Sequence, residues 1–408
     1  MTQDILVVED SATFRAFLVK QLQRANYNVV AVATYAEASL LLEQRSDFFC
    51  AVLDYCLPDA TNGEVIDLAL QCKQRVIVLT ASFHPQNREY FITQGVLDYL
   101  TKDNNNAVSD LLVLIERLAK NRHHHALIVD DSQMVRNHLS ELLNHQYIKV
   151  TAVENGQLAL DELQTSADIS FIVTDHAMPV MDGVEMIREI RKTSDRNSLP
   201  ILGLSGSEDK MMTAKFLKAG ANDFLYKPFN QEELYCRVHS LLSIKEANDE
   251  LYRLANQDEL TGLWNRRYFF SYATAIEDLS QANLAIIDID DFKLINDNYG
   301  HEAGDFVIKT VARVLSLHFP NAIVSRFGGE EFSILYVGEP EHFFATLDKM
   351  RHRIAEMFIP YETHQLNITI SLGATSAPSS IDNALRIADK YLYTSKAAGK
   401  NQLIVDGD

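Results

Sequence analysis

Apolar residues in this chain gather in short unbroken runs between amphipathic stretches, and the runs come twice. Ile5–Val8, Ala51–Leu53 and Val76–Leu79 have counterparts in Leu127–Val129, Phe171–Val173 and Ile201–Leu204. Runs this short and wholly apolar fit strands covered on both faces, and the helical pattern between them fits crossover helices. The copying is literal in places. Asp4-Ile5-Leu6-Val7-Val8-Glu9-Asp10-Ser11 returns 121 positions later as His125-Ala126-Leu127-Ile128-Val129-Asp130-Asp131-Ser132, and Asp54 meets Asp175. Beyond that point the displacement becomes 125: Thr80 meets Ser205, Tyr99 meets Phe224 and Lys102 meets Lys227. A period near 120 is too long for a solenoid and predicts a duplicated, doubly wound parallel-sheet domain, with limits at 1–121 and 122–240.

The pattern then changes. Leu241, Ile244, Asn248, Leu251 and Ala255 are spaced three, four, three, four, the seam of a coiled coil, with Asn248 at a core position that fixes register. No Pro or Gly interrupts this stretch, so 241–256 is expected to be a stiff helical linker, paired with a second copy or standing alone as an amphipathic helix. Farther on, Leu284–Ile287 reads as a buried strand that ends in Asp288-Ile289-Asp290-Asp291, and Phe292–Tyr299 reads as a helix. Ala322–Ser325 and Phe332–Val337 read as strands flanking a hairpin turn at Gly328-Gly329, immediately before Glu330 and Glu331. Two carboxylates at a tight turn need a cation or donors opposite them, and paired glycines let a ligand approach the backbone.

Composition narrows the choices. The 408 residues carry a net charge of −19, which argues against a nucleic-acid polymer as partner, since that binding needs a basic surface. No stretch approaches ~20 apolar residues and Met1–Asp4 carries no basic leader, so a cytoplasmic protein with no membrane association is expected. Cys50, Cys56, Cys72 and Cys236 have no Cys-x-x-Cys spacing and read as reduced thiols. His123-His124-His125, between the two copies, reads as a solvated junction.

In each copy the polar residues stand at strand ends, where ligands of doubly wound sheets bind. Glu9, Asp10 and Asp54 form one acidic cluster of Mg²⁺ character, and Asp130, Asp131 and Asp175 form the other. Thr80 and Ser205 add hydroxyls, and Lys102 and Lys227 add ammonium groups. This constellation resembles the receiver domain of two-component response regulators. The resemblance implies that Asp54 and Asp175 accept a phosphoryl group from a histidine kinase or phosphotransfer protein, and that Tyr99 and Phe224 are switch positions. Lys227-Pro228 and the loop Met178-Pro179-Val180-Met181-Asp182-Gly183 follow the family pattern, whereas Lys102-Asp103 departs from it. Asp175 is therefore the favoured acceptor, with the first copy acting partly as an interface.

The third region, 257–408, resembles the GGDEF family of diguanylate cyclases. The resemblance rests on Gly328-Gly329-Glu330-Glu331-Phe332, on Asp288-Ile289-Asp290-Asp291-Phe292-Lys293 with Asn296, Asp297, Gly300, His301, Gly304 and Asp305, and on Asp258, Leu260, Thr261, Gly262, Leu263, Asn265, Arg266 and Arg267. It implies an α+β, palm-like domain with a ferredoxin-like core. It also implies two GTP condensed into cyclic di-GMP and two pyrophosphates by a homodimer, with Mg²⁺ as cofactor and Mn²⁺ as a substitute. Asp288, Ile289 through its carbonyl, and Glu330 would hold metal, with Glu331 a second ligand or the general base. Lys293, Lys396 and Lys400 would bind phosphate; Lys400 stands where many relatives have arginine, which forfeits a bidentate fork. Asn296 and Asp305 would read guanine, unless Asn296 merely caps a turn and Asp305 starts a helix at Phe306–Leu315. Phe319-Pro320-Asn321-Ala322 stands where many relatives carry an inhibitory Arg-x-x-Asp, so product feedback through that segment is expected to be absent. The alternative reading is a response regulator that binds GTP or a dinucleotide without catalysis.

Overall fold

The computed structural model describes residues 3–81, 85–102, 106–206, 210–276 and 278–406. Asp103, the residue that departs from the receiver pattern, lies outside them. The chain divides into two compact units, Met1–Ala247 and Asn248–Asp408.

In the first unit, strands Asp4–Val8, Asn28–Val32, Cys50–Asp54, Val76–Thr80 and Asp98–Thr101 form a parallel sheet in the spatial order second, first, third, fourth, fifth. Strands His125–Val129, Lys149–Val153, Phe171–Asp175, Ile201–Ser205 and Asp223–Tyr226 repeat that order. The unbroken apolar runs have the cause expected for them. Leu6 and Val8 pack to one side and Ile5 and Val7 to the other, so both faces are covered. The duplication extends to single bonds: the Lys102 N–H donates to the Thr80 carbonyl at 2.7 Å, and the Lys227 N–H to the Ser205 carbonyl at 2.7 Å.

The two copies pack on each other. Tyr147 stacks on Phe49 at 4.8 Å, and the Arg75 guanidinium lies 3.7 Å over the Tyr147 ring while donating to the carbonyls of His145 (2.8 Å) and Asn144 (3.0 Å). On helix Ala107–Asn121, Arg117 grips the Glu246 carboxylate, one of its hydrogen bonds being 3.0 Å long. This seam overturns the solvated junction expected at 123–125. His124 is buried with its Nε2 2.7 Å from Glu246, and His125 is buried with its Nε2 2.9 Å from the Thr151 hydroxyl; His123 stays exposed.

The linker is also different from expectation. A single helix, Gln231–Asn256, closes the second copy and runs on without a break. Leu241, the predicted first seam residue, is 4% exposed and packs with Leu234, Val238 and Leu242 in the core of the second copy. It is therefore unavailable to a second helix, and the exposed apolar stripe begins at Ile244 (50%) and continues through Leu251 (66%). No helix among the described residues is long and apolar enough to cross a membrane.

In the second unit, strands Ile323–Gly328, Glu331–Val337, Ala282–Ile289 and Ile370–Ser376 form the antiparallel centre of a six-stranded sheet. Trp264–Asn265 and Leu403–Ile404 pair in parallel at its edges. This is the α+β, ferredoxin-like palm that the motifs implied. Strand Ala282–Ile289 is buried throughout: Ala285, Ile287 and Ile289 face the core of helices His301–His318 and Pro340–Ala355, while Leu284 and Ile286 face Phe269, Ala384 and Ala388. Helix Phe292–Tyr299 lies where the pattern put it, but the next helix starts at His301 and not at Phe306. Gly300, at φ 85°, is the only residue between the two helices. Asp305 thus lies inside its helix and does not start it.

Candidate active site

The site grows from the carboxyl end of strand Ala282–Ile289. Asp288 stands opposite Glu331 in the ladder with strand Glu331–Val337, and the Ile289 N–H donates to the Glu330 carbonyl at 3.4 Å. The hairpin turn is shifted one residue from expectation. Gly328 pairs with Glu331, so Gly329 and Glu330 form the tip; Gly329 takes φ 52°, where a side chain would be strained. A register shift between Arg326 and Gly328, a β-bulge, adds local twist just before the tip.

Charge is gathered here without being fully balanced. Burial pushes the Asp288 carboxyl above its usual range, the Lys396 ammonium 2.8 Å away pulls it back, and Glu330 and Glu331 push it up again. Lys400 lies 2.6 Å from Asp291, which takes left-handed backbone (φ 54°) just before helix Phe292–Tyr299. Lys293 is exposed in the first turn of that helix. Gly304 sits against the preceding helix: a Cβ there would fall 2.0 Å from the Asn296 Oδ1, so a side chain at 304 would displace Asn296 from its present position. Asp288 thus faces Glu331 at one strand end, with Ile289 bonded to the Glu330 carbonyl and Lys396 on Asp288; Lys400 reaches Asp291 just before helix Phe292–Tyr299, which carries Lys293 and Asn296, and Asp305 lies on the next helix. Three carboxylates and a main-chain carbonyl are the hard oxygen donors a divalent cation takes, but Asp288, Glu330 and Glu331 do not all come within 4.8 Å of one another, and Lys396 pairs with Asp288.

Two residues that sequence reasoning passed over hold this arrangement. Arg326 donates to the Gly329 carbonyl from Nε (3.0 Å) and Nη2 (2.8 Å), and its Nη1 pairs with Asp258 at 3.0 Å. Asp258 in turn accepts from the Thr261 N–H (2.9 Å) and hydroxyl (2.7 Å). The early Asp-x-Leu-Thr motif therefore braces the hairpin. Asp290, buried, accepts from Thr369, Ser371 and Asn401. Asp290's only signal in the sequence was its place within a motif, and Arg326 had only its position just before the paired glycines.

The receiver sites are similar but unequal. Lys102 Nζ lies 2.5 Å from Asp54 and 2.7 Å from Glu9, whose carboxyl is raised by burial against the pull of that lysine. Lys227 Nζ lies 2.6 Å from Asp175 and 2.7 Å from Asp130. Among the described residues, Glu9, Asp10 and Asp54 bring three carboxylates within 4.8 Å of one another; Asp130, Asp131 and Asp175 do not gather as closely. Thr80 and Ser205 are buried at their strand ends. Tyr99 is buried against Phe91, whereas Phe224 is half-buried against Tyr226.

Comparison with known families fits this geometry. Residues 5–114 and 126–239 match the response regulator receiver domain, and residues 255–402 match the family described as diguanylate cyclase, GGDEF domain. The chain is a response regulator carrying a GGDEF domain. Response regulator PleD of Caulobacter vibrioides is 27% identical to this response regulator over 306 residues, which cover 68% of the chain and 65% of PleD. The chain thus spans just under two thirds of that relative's length. Diguanylate cyclase A of Treponema denticola is 34% identical over 179 residues, 41% of this response regulator and 48% of the relative. The crystal structure of a two-component response regulator/GGDEF domain protein, 33% identical, superposes with a TM-score of 0.54, covering 60% of this chain and 100% of that one. GGDEF cyclases are metal-dependent as a family.

Proposed function

We propose that this response regulator is a diguanylate cyclase that works as a dimer and is switched by phosphorylation. One observation carries the reading: Asp288 faces Glu331 across adjacent strands, beside a two-residue tip bearing Glu330. In this reading Asp288, the Ile289 carbonyl and Glu330 hold Mg²⁺, or Mn²⁺ in its place. The bound cation would offset charge gathering on the reacting phosphate.

The 3′-hydroxyl oxygen of one GTP forms a bond to the α-phosphorus of the other, the bond to the bridging oxygen breaks, and pyrophosphate leaves; a second, reciprocal exchange closes the ring. Glu331 takes the hydroxyl proton or holds a second cation. Lys293, Lys396 and Lys400 bind phosphate oxygens, for which Lys396 and Lys400 leave Asp288 and Asp291. Asp305 accepts from the guanine ring N–H and exocyclic amine with Asn296 beside it, an edge that adenine does not offer.

Each domain holds half the chemistry, so pairing raises the effective concentration of the second half. The exposed Ile244, Leu251 and Leu254 on one continuous helix support pairing with a second copy. A histidine kinase or phosphotransfer protein in the cytoplasm supplies the phosphoryl group. Its N–P bond breaks as an oxygen of Asp175, or of Asp54, bonds to phosphorus, with Lys227 and Ser205, or Lys102 and Thr80, receiving the phosphoryl oxygens. Phe224 and Tyr99 are the switch positions in this scheme. The limits 1–121, 122–240 and 257–408, with a linker over 241–256, belong to this reading; the matched spans 5–114, 126–239 and 255–402 support three domains, and the division after Ala247 falls inside the linker.

Incubating the purified full chain with GTP and Mg²⁺, then separating the nucleotides, tests the reading. Cyclic di-GMP is expected from GTP, no product from ATP, and none from the Glu330→Ala variant. Binding of GTP without turnover would favour the non-catalytic regulator.

A further inference from the structure

Asp290 has no role in the chemistry proposed above, yet both of its carboxylate oxygens are bonded to protein donors. It is 5% exposed and lies two residues after Asp288. Its Oδ1 accepts from the Ser371 hydroxyl at 2.6 Å, and its Oδ2 accepts from the Thr369 hydroxyl at 2.6 Å and from the Asn401 N–H at 3.1 Å. The Asp290 N–H donates to the Thr369 carbonyl at 2.9 Å. A charge this deep persists only when donors surround it.

The third donor is the informative one. Gly399, Lys400 and Asn401 have φ of 117°, 63° and 49°, so two consecutive residues with side chains sit in the left-handed region. Such backbone persists when its surroundings over-determine it. Two groups do so at Asn401: Asp290 takes its N–H, and Arg351 donates to its carbonyl (2.8 Å) and to its Oδ1 (3.0 Å). The turn so fixed directs Lys400 back to the start of helix Phe292–Tyr299, where its ammonium meets Asp291 at 2.6 Å. Neighbouring aspartates thus hold one turn by two handles, Asp290 by its backbone and Asp291 by its lysine.

We propose that Asp290 is a positioning residue for triphosphate binding: by clamping the Gly399–Asn401 turn it keeps Lys400 aimed at the phosphates when that ammonium leaves Asp291. This rests on the reading that GTP occupies the site. The clamp acts through the main chain, so it costs Lys400 no freedom to exchange one anion for another.

The test uses the full chain, Mg²⁺ and a GTP analogue with a methylene bridge between the α- and β-phosphates, with calorimetric affinities for the wild type, Asp290→Ala, Lys400→Ala and the double variant. Removing one charge-assisted hydrogen bond from a phosphate site weakens binding about tenfold. Each single variant should bind that much more weakly and the double variant no more weakly still, because both substitutions act through the same ammonium. Amide exchange without nucleotide should quicken at Asn401 in Asp290→Ala and stay slow in Lys400→Ala. Wild-type affinity in Asp290→Ala, or effects that multiply in the double variant, would overturn the proposal and leave the cyclase reading standing. A wild type that binds no analogue would sink both, whatever the exchange at Asn401. Should Asp290→Ala not fold, Asp290→Asn replaces it; it offers one acceptor oxygen for three donors, and affinity and exchange equal to wild type would again overturn the clamp.

Discussion

Arg326 shows what a single side chain contributes here. Its guanidinium holds the Gly329 carbonyl at the hairpin tip and the Asp258 carboxylate, and burial at Asp258 is outweighed by the Thr261 hydroxyl and Arg326, which keep its carboxyl below the usual range. Arg326→Ala should destabilise the second unit by about 2 kcal/mol, since a partly buried charged network loses one side. Asp258→Asn should add little on top of it, as read by urea denaturation of both variants and their combination. Histidines give a pH signature. Burial, with a smaller push from a nearby arginine, lowers both His145 and His239 to about 4 from 6.5. Their native forms stay neutral while the unfolded chain takes up protons below 6.5, so this stability is whole above that pH and is lost as pH falls toward 4. The unfolding free energy of the first unit, from urea denaturation, should fall between pH 6.5 and 5 by on the order of 1 kcal/mol per pH unit for each histidine, and His239→Gln should flatten the slope. At this scale the sequence was legible where residues act within a motif, as with Asp288, Glu330 and Glu331. It was opaque for Arg326 and Asp290, whose partners stand 68 and 111 positions away, and for His124, buried by a helix 122 positions on.

Strands and helices were readable because their periods are local. The strand Ala282–Ile289 announced itself as an apolar run, and helix Phe292–Tyr299 appeared with its ends in place. The departures came from neighbours in space. Leu241 fits a heptad seam and also a receiver core, and the core claims it. Helix His301–His318 begins directly after Gly300, whose φ of 85° lets the chain turn from one helix into the next within a single residue, which no periodicity encodes. The exposed stripe from Ile244 to Leu254 is the element that pairing would use. Replacing Ile244 and Leu251 together by glutamate should leave a monomer in sedimentation velocity. Turnover per chain should fall at least tenfold at micromolar protein and recover as protein concentration rises, because the reaction needs two domains.

Over the whole molecule, duplication was the most legible property; that the copies are unequal was also legible, but the form the inequality takes in space was not. Both copies keep the strand-end aspartate, the lysine and the hydroxyl, yet carboxylates crowd more tightly around Asp54 than around Asp175, and the aromatic residue is buried in one copy and half-buried in the other. Beryllofluoride, which mimics a phosphoryl group, should raise the initial rate of cyclic di-GMP formation; Asp175→Asn should remove most of that gain and Asp54→Asn a smaller part. Equal rates with and without the mimic would remove phosphorylation from the scheme. The unbroken helix Gln231–Asn256 adds a demand of its own. A helix of 26 residues is about 39 Å long, and each residue inserted into it turns whatever follows by about 100° about the helix axis. Output should therefore oscillate with the number of alanines added after Asn248: seven restore the original phase and two oppose it.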